Sequence, residues 1–311
     1  MRVVALAGGV GGAKLADGLS RILTPDELAI VVNTGDDFIH YGLQISPDLD
    51  TVCYTLVGLA NSKTGWGLKN ETWNAFERAK ILGGPDWFSL GDRDLGTHLE
   101  RTRRMSQGET LTSITQSFCK RWGIPFGVFP MCDQPVATMI NTKEYGWLGF
   151  QEYFVNKKCV PTVLGFEFRG IHKSHVHKDL SRKVRDADLI VICPSNPWVS
   201  IDPILHVNGF KKLLRGKQVT AVSPIIGNNT IKGPAAKMFH EMGVMPNAFS
   251  VAEHYKGVID SIIIDDKDCG LIPEITRCGI ISHATDIFMK SPRDRIRLAK
   301  FILESASIRR E

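Results

Sequence analysis

Short apolar runs recur along the chain, each closed by glycine, proline or a polar residue and most followed by a stretch of helical spacing. VVALAG (3–8), AIVVN (29–33), DADLIVICP (186–194), QVTAVSP (218–224) and SIIIDD (261–266) are the clearest. Near-continuous hydrophobicity in so short a run is the pattern of a strand buried on both faces, as in a parallel sheet covered by helices. Between them AKLADGLSRIL, DTVCYTLVGLA, SRKVRDA, GPAAKMFHEMG and residues 293–307 space their apolar side chains as helices do. The alternation predicts an α/β protein with a Rossmann-like, doubly wound, mostly parallel sheet.

The middle of the chain breaks this rhythm. Residues 62–125 are polar, and WNAFERAKIL, LGTHLERTRRM and TLTSITQSFCKRW each give an amphipathic helical face. GIPFGVFPMCD, VATMINT and FQEYFVN then read as extended. The expectation is one large domain over 1–311. Its nucleotide-binding core of about 1–60 and 186–311 carries an inserted helical and mixed α/β region of about 61–185.

Composition narrows the class. With 43% hydrophobic and 23% charged residues in 311, the chain is neither disordered nor a disulfide scaffold. It contains no apolar run of membrane-spanning length, and the opening MRVVALAGG is too short for a secretory leader, so a cytoplasmic location is expected, with no membrane partner. Seven cysteines without a CxxC pair fit reduced thiols. A net charge of +5, with local clusters RKVR (182–185) and FKKLLRGK (210–217), is too diffuse for a nucleic-acid footprint and suits a phosphate-bearing small molecule.

Five segments carry candidate chemistry. GGVGGAK (8–14) joins the first strand to the first helix, so Gly9, Gly11, Gly12 and Lys14 are candidates for phosphate binding at a helix N-terminus. It is not a P-loop, because Leu15 follows Lys14, and not a full dinucleotide fingerprint, because Lys14 takes the third glycine's place. NTGDD (33–37) follows the second strand and aims Asp36 and Asp37 at the crevice beyond the strand ends. SPDLD puts Asp48 and Asp50 two apart, and on an extended backbone both project to one side. Carboxylates so gathered repel unless they share a cation, which points to magnesium; the competing reading makes Asp50 a helix cap and Asp36 and Asp37 turn formers. Ser195, Asn196 and Ser200 in CPSNPWVSIDPIL, and Gly227, Asn228 and Asn229 in SPIIGNNTIKGPAAKM, supply small polar groups for a nucleotide.

In WFSLGDRDLGTHLER (87–101), Arg93 is placed either to clamp a phosphate or to pair locally with Asp92 and Asp94. His98 has no histidine or cysteine at i+3 or i+4, which argues against it as a metal ligand, and the histidines of HKSHVH (172–177) read as a polar loop.

AGGVGGAK, NTGDDF, SPDLDTVCYTL, TGWG (64–67), WFSLGDRDLGTHLERT, FPMCDQPV, FQEYFV, CPSNPWVSIDPIL and SPIIGNNTIKGPAAKM follow one another over nearly the whole chain. In order and spacing they resemble the 2-phospho-L-lactate transferase family of coenzyme F-420 biosynthesis. The resemblance implies transfer of a 2-phospho-L-lactate or phosphoenolpyruvyl group from a guanosine diphospho donor to the ribityl hydroxyl of the deazaflavin Fo, with GMP leaving. It also implies magnesium and a homodimer. By position, Asp50 and Arg93 match the family's deazaflavin-site residues, and Asp37, Asp48 and Asp50 become candidates for metal binding or for the base. Cys132 and Gln134 in FPMCDQPV depart from the family pattern, so Asp133 receives no role.

Two other readings compete. A non-catalytic sugar-nucleotide-binding regulator of related fold needs the glycine loop but neither the aspartates nor GDRD. An NAD oxidoreductase needs a complete GxGxxG, which Lys14 interrupts.

Overall fold

A computed structural model describes residues 1–61, 64–230 and 233–307. Seven strands form the main sheet: β1 (Val3–Ala7), β2 (Leu28–Val32), β3 (Gly127–Pro130), β4 (Leu189–Ile192), β5 (Gln218–Val222), β6 (Ser261–Ile264) and β7 (Ile281–Ala284). They lie in the order β7-β6-β5-β4-β1-β2-β3, and every pairing is parallel. The doubly wound reading therefore holds. Strand β3, which falls within the expected insertion, forms the edge of this sheet beside β2.

The continuous apolar runs have a direct structural cause. Val4, Leu6, Ala29, Val31, Ile190 and Ile192 face one core, while their neighbours Val3, Ala5, Ile30, Val32, Leu189 and Val191 face the other. Alternate side chains on a strand point to opposite faces, so a sheet covered on both sides needs apolar residues at every position. Helices α1 (Gly9–Ser20), α2 (Pro47–Leu56), α4 (Leu111–Trp122) and α5 (Pro292–Ser307) cover the second face. Helix α3 (Asp92–Ser106) lies outside them, packing on α4 and on the strand Leu43–Ile45.

Two local expectations fail. SPDLD is not extended: Pro47 opens α2, where its fixed φ suits the first turn and its missing N–H costs nothing. FQEYFVN is a π-helical turn over Glu152–Asn156 that buries Tyr153 and stacks Phe150 on Phe154 at 5.5 Å. Aromatics four apart meet on a helix, which the extended reading overlooked. This turn lies between two strands of a small antiparallel sheet formed by Ala137–Thr142, Gly146–Gly149 and Val163–Arg169. Ile231 and Lys232 of the SPIIGNNTIKGPAAKM phrase lie outside the described residues.

Candidate active site

Chain direction reverses its lateral course between β1 and β4, and ligands of such sheets bind where the loops part. Here the two loops interlock. A Cβ on Gly11 would fall 2.2 Å from the Pro194 carbonyl oxygen, one on Gly12 would fall 2.9 Å from Ser195 Oγ, and one on Gly8 would fall 2.6 Å from Ser200 Cβ. Gly9 has φ +60°, a left-handed conformation that glycine adopts without strain. Ser195 Oγ donates to the Gly8 carbonyl at 2.8 Å and accepts from the Gly8 N–H at 3.2 Å. Glycine at 11 and 12 thus serves close packing of loop on loop, and Ser195 is the stitch.

The other nucleotide candidates disperse. Asn196 caps the turn Pro197–Ile201, its Oδ1 accepting from Trp198 and Val199 N–H, while half-buried Ser200 stays beside Gly8. Lys14 turns away and donates to the Met289 carbonyl at 2.8 Å. Gly227 and Asn228 form the exposed positive-φ tip of a hairpin that ends in Asn229–Thr230, and the Gly227 N–H faces the Asp268 carboxylate at 3.1 Å.

The aspartates gather around Asn33, a fully buried residue just beyond β2. Its Nδ2 donates to Asp36 Oδ1 at 2.9 Å and lies 3.1 Å from Asp48 Oδ2 and 3.3 Å from the Val199 carbonyl. Gln151 Nε2 donates to Asp36 Oδ2 at 2.9 Å. Asp37 Oδ2 accepts from Ser46 Oγ at 2.7 Å, yet its Oδ1 is buried without a hydrogen-bond partner among the described residues. Burial, then the charges of Asp48 and Asp37, push the Asp36 carboxyl well above its ordinary pKa. Burial does the same to Asp37, and lifts Asp48 to about 6 against hydrogen bonds from Asn33 and the Gly9 N–H. These groups hold more negative charge than their surroundings neutralise.

Asp50 lives differently. Two residues along a helix turn a side chain through about 200°, so Asp50 points away from Asp48. Arg101, 3% exposed on α3, holds it in a two-pronged ion pair, with Nη1 3.1 Å from Oδ2 and Nη2 on Oδ1. Nη1 also lies 3.3 Å from His98 Nδ1, and His98 Nε2 lies 3.6 Å from Asp94 Oδ1, which the Tyr54 hydroxyl meets at 2.6 Å. Burial raises the Asp94 pKa, but His98 and Tyr54 outweigh it and keep the group below its ordinary value. Ligand atoms of Asp50, Asp94 and His98 come within 4.8 Å of one another. The spacing rule that set His98 aside overlooked carboxylates as its companions, although here the guanidinium already supplies the cation.

Arg93 is exposed, its Nη1 donating to the Lys69 carbonyl at 2.8 Å. It lines an open cavity of about 350 Å³ with Tyr54, Thr97, Arg121 and Trp122. Its neighbours cap helices: Glu71 accepts from the Arg93 and Asp94 N–H groups of α3, and Asp92 accepts from Asn74 and Ala75 at the start of helix Asn74–Ile81. Sequence reasoning passed over Asn33, Arg101, Ser46 and Gln151. The series Asp94, His98, Arg101 at i, i+4 and i+7 was a readable signal of one inward helix face.

Known proteins are similar to this chain over nearly its whole length. A Methanosarcina acetivorans 2-phospho-L-lactate transferase is 38% identical over 97% of this chain and 98% of its own. The Methanocaldococcus jannaschii protein of the same name is 36% identical over 97% of each. A Streptomyces griseus phosphoenolpyruvate transferase is 36% identical over 98% of each. Two crystal structures of a Bacillus halodurans protein, described as a member of the UPF0052 family, share the fold at TM-scores of 0.63 and 0.64 with 14% identity and cover 97% of this chain and 98% and 99% of theirs. The family model 2-phospho-L-lactate transferase CofD matches residues 3–275, and the chain belongs to that family of transferases.

Proposed function

We propose that this transferase moves a 2-phospho-L-lactate or phosphoenolpyruvyl group from its guanosine diphospho donor to the ribityl hydroxyl of Fo, releasing GMP, in coenzyme F-420 biosynthesis. The observation that carries the proposal is the set of uncompensated carboxylates, Asp36, Asp37 and Asp48, at the carboxyl ends of β1 and β2. In the proposed step the acceptor oxygen bonds to the phosphorus next to the lactyl or enolpyruvyl group, the bond to the GMP oxygen breaks, and GMP departs with that electron pair. Asp37 Oδ1, which has no hydrogen-bond partner among the described residues, is assigned the hydroxyl proton. The Gly8–Gly9 backbone and Ser200 flank Asp48 and line the place for the diphosphate.

Magnesium belongs to the proposal. Asp36 and Asp48, crowded onto one Asn33 amide, are a fitting hard-oxygen donor set, whereas Asp50 is committed to Arg101. Bound there, the ion would offset the charge of the diphosphate. A homodimer in the cytoplasm is part of the same proposal and rests on the family resemblance; among the described residues no helix is long and apolar enough to cross a membrane.

The test is incubation of the purified protein with Fo, magnesium and either the lactyl or the enolpyruvyl guanosine donor, reading GMP by chromatography and the Fo phosphodiester by mass spectrometry. One GMP per modified Fo is the expected result. Donor binding without GMP release or Fo consumption from either donor would replace the enzyme with the sugar-nucleotide regulator.

A further inference from the structure

We propose that Arg101 is a positioning residue for the transfer reaction, setting Asp37 and Asp48 in place from behind; this rests on the transferase reading above. Its guanidinium touches α2, which carries Asp48, and the strand Leu43–Ile45, whose Gln44 side chain binds Asp37. Through Asp50 it holds the first turn of α2, which presents Asp48 to the crevice. Through Nη1 it donates to the Gln44 carbonyl at 3.4 Å, and the Gln44 side chain donates to Asp37 Oδ2 at 3.3 Å. Thr102, the next residue of α3, accepts from the Gln44 N–H at 2.8 Å and so fixes the same strand a second time.

Arg101 is itself held still. His98 Nδ1 faces the guanidinium N–H and is its acceptor, which leaves the His98 proton on Nε2, toward Asp94 and Tyr54. Five buried or half-buried polar groups thus run from Tyr54 to Asp50 across the α2–α3 contact, and the guanidinium is the member with contacts to all sides. A lysine ammonium keeps the charge but cannot span both carboxylate oxygens, the Gln44 carbonyl and the His98 ring together. Both Asp50 oxygens are taken by Arg101, so this carboxylate acts as an anchor for the turn.

Steady-state transfer kinetics of the full-length chain test the proposal, with wild type beside Arg101→Lys and Arg101→Ala and Fo binding stoichiometry measured for each. We expect Arg101→Lys to bind one Fo per chain with little change in KM for the donor while kcat falls about 100-fold, the scale of a displaced catalytic group. Millimolar guanidinium should restore part of the Arg101→Ala activity and leave wild type unchanged. Retention of kcat within about threefold, or a rise in KM alone, overturns the proposal. If both variants fail to fold, His98→Asn decides: a lower kcat at unchanged KM supports positioning, and an unaltered kcat overturns it. Absence of transfer by wild type itself would sink the transferase reading and this inference with it, whereas transfer by wild type and by Arg101→Lys alike would sink this inference alone.

Discussion

Asp48 and Asp50 share one helical turn yet belong to two regions with opposite electrostatics. On the α3 side, Asp50 meets Arg101 in a two-pronged pair, with His98, Asp94 and Tyr54 completing the hydrogen bonds. On the crevice side, Asp36, Asp37 and Asp48 share an asparagine, two glutamines and a serine, and no arginine or lysine side chain hydrogen-bonds to any of them among the described contacts. A buried carboxylate with a matched cation is part of the scaffold. One whose charge is left over is available to a metal, a phosphate's counter-charge or a proton.

The largest effect expected from breaking this contrast is on the scaffold side. Arg101→Met strands Asp50 as a buried charge, and urea denaturation should show a loss of about 3–5 kcal/mol. Removing both partners, as Asp50→Asn with Arg101→Met, should cost less than the two single losses added together, because neither charge is then left unpaired. At the small end, Asn229 lies exposed on the hairpin and its Nδ2 reaches only the Gly227 carbonyl among the described contacts. Asn229→Ala should leave the unfolding free energy within about 0.5 kcal/mol of wild type.

Much of the fold was legible because its signal is local. A doubly covered strand writes its burial into consecutive residues, and VVALA, LAIVV and LIVI could be read without their partners. SPDLD and FQEYFV were misread because Pro47 and Tyr153 act through helical geometry over fewer turns than a periodicity needs to show itself. The four aspartates were equally visible, but their division was not. It depends on Arg101, 51 residues from Asp50, and Gln151, 115 residues from Asp36, and no spacing rule connects such pairs. The glycine loop was legible as the link from first strand to first helix, while the reason for its glycines lies across the sheet, where Ser195 meets Gly8 over 187 residues of chain.

The division of the aspartates can be tested through pH. Asp48 titrates at about 6 in the folded protein and near 4 when unfolded, so between these values the folded state binds more protons and loses stability as pH rises. The decisive measurement is the unfolding free energy of wild type and Asp48→Asn from pH 4 to 7.5, without divalent cations. The account predicts near equality at pH 4 and, by pH 7.5, a variant more stable by about 1–3 kcal/mol. A variant that becomes progressively less stable than wild type as pH rises would mean that Asp48 is a compensated charge like Asp50, and the contrast between the two regions would fall.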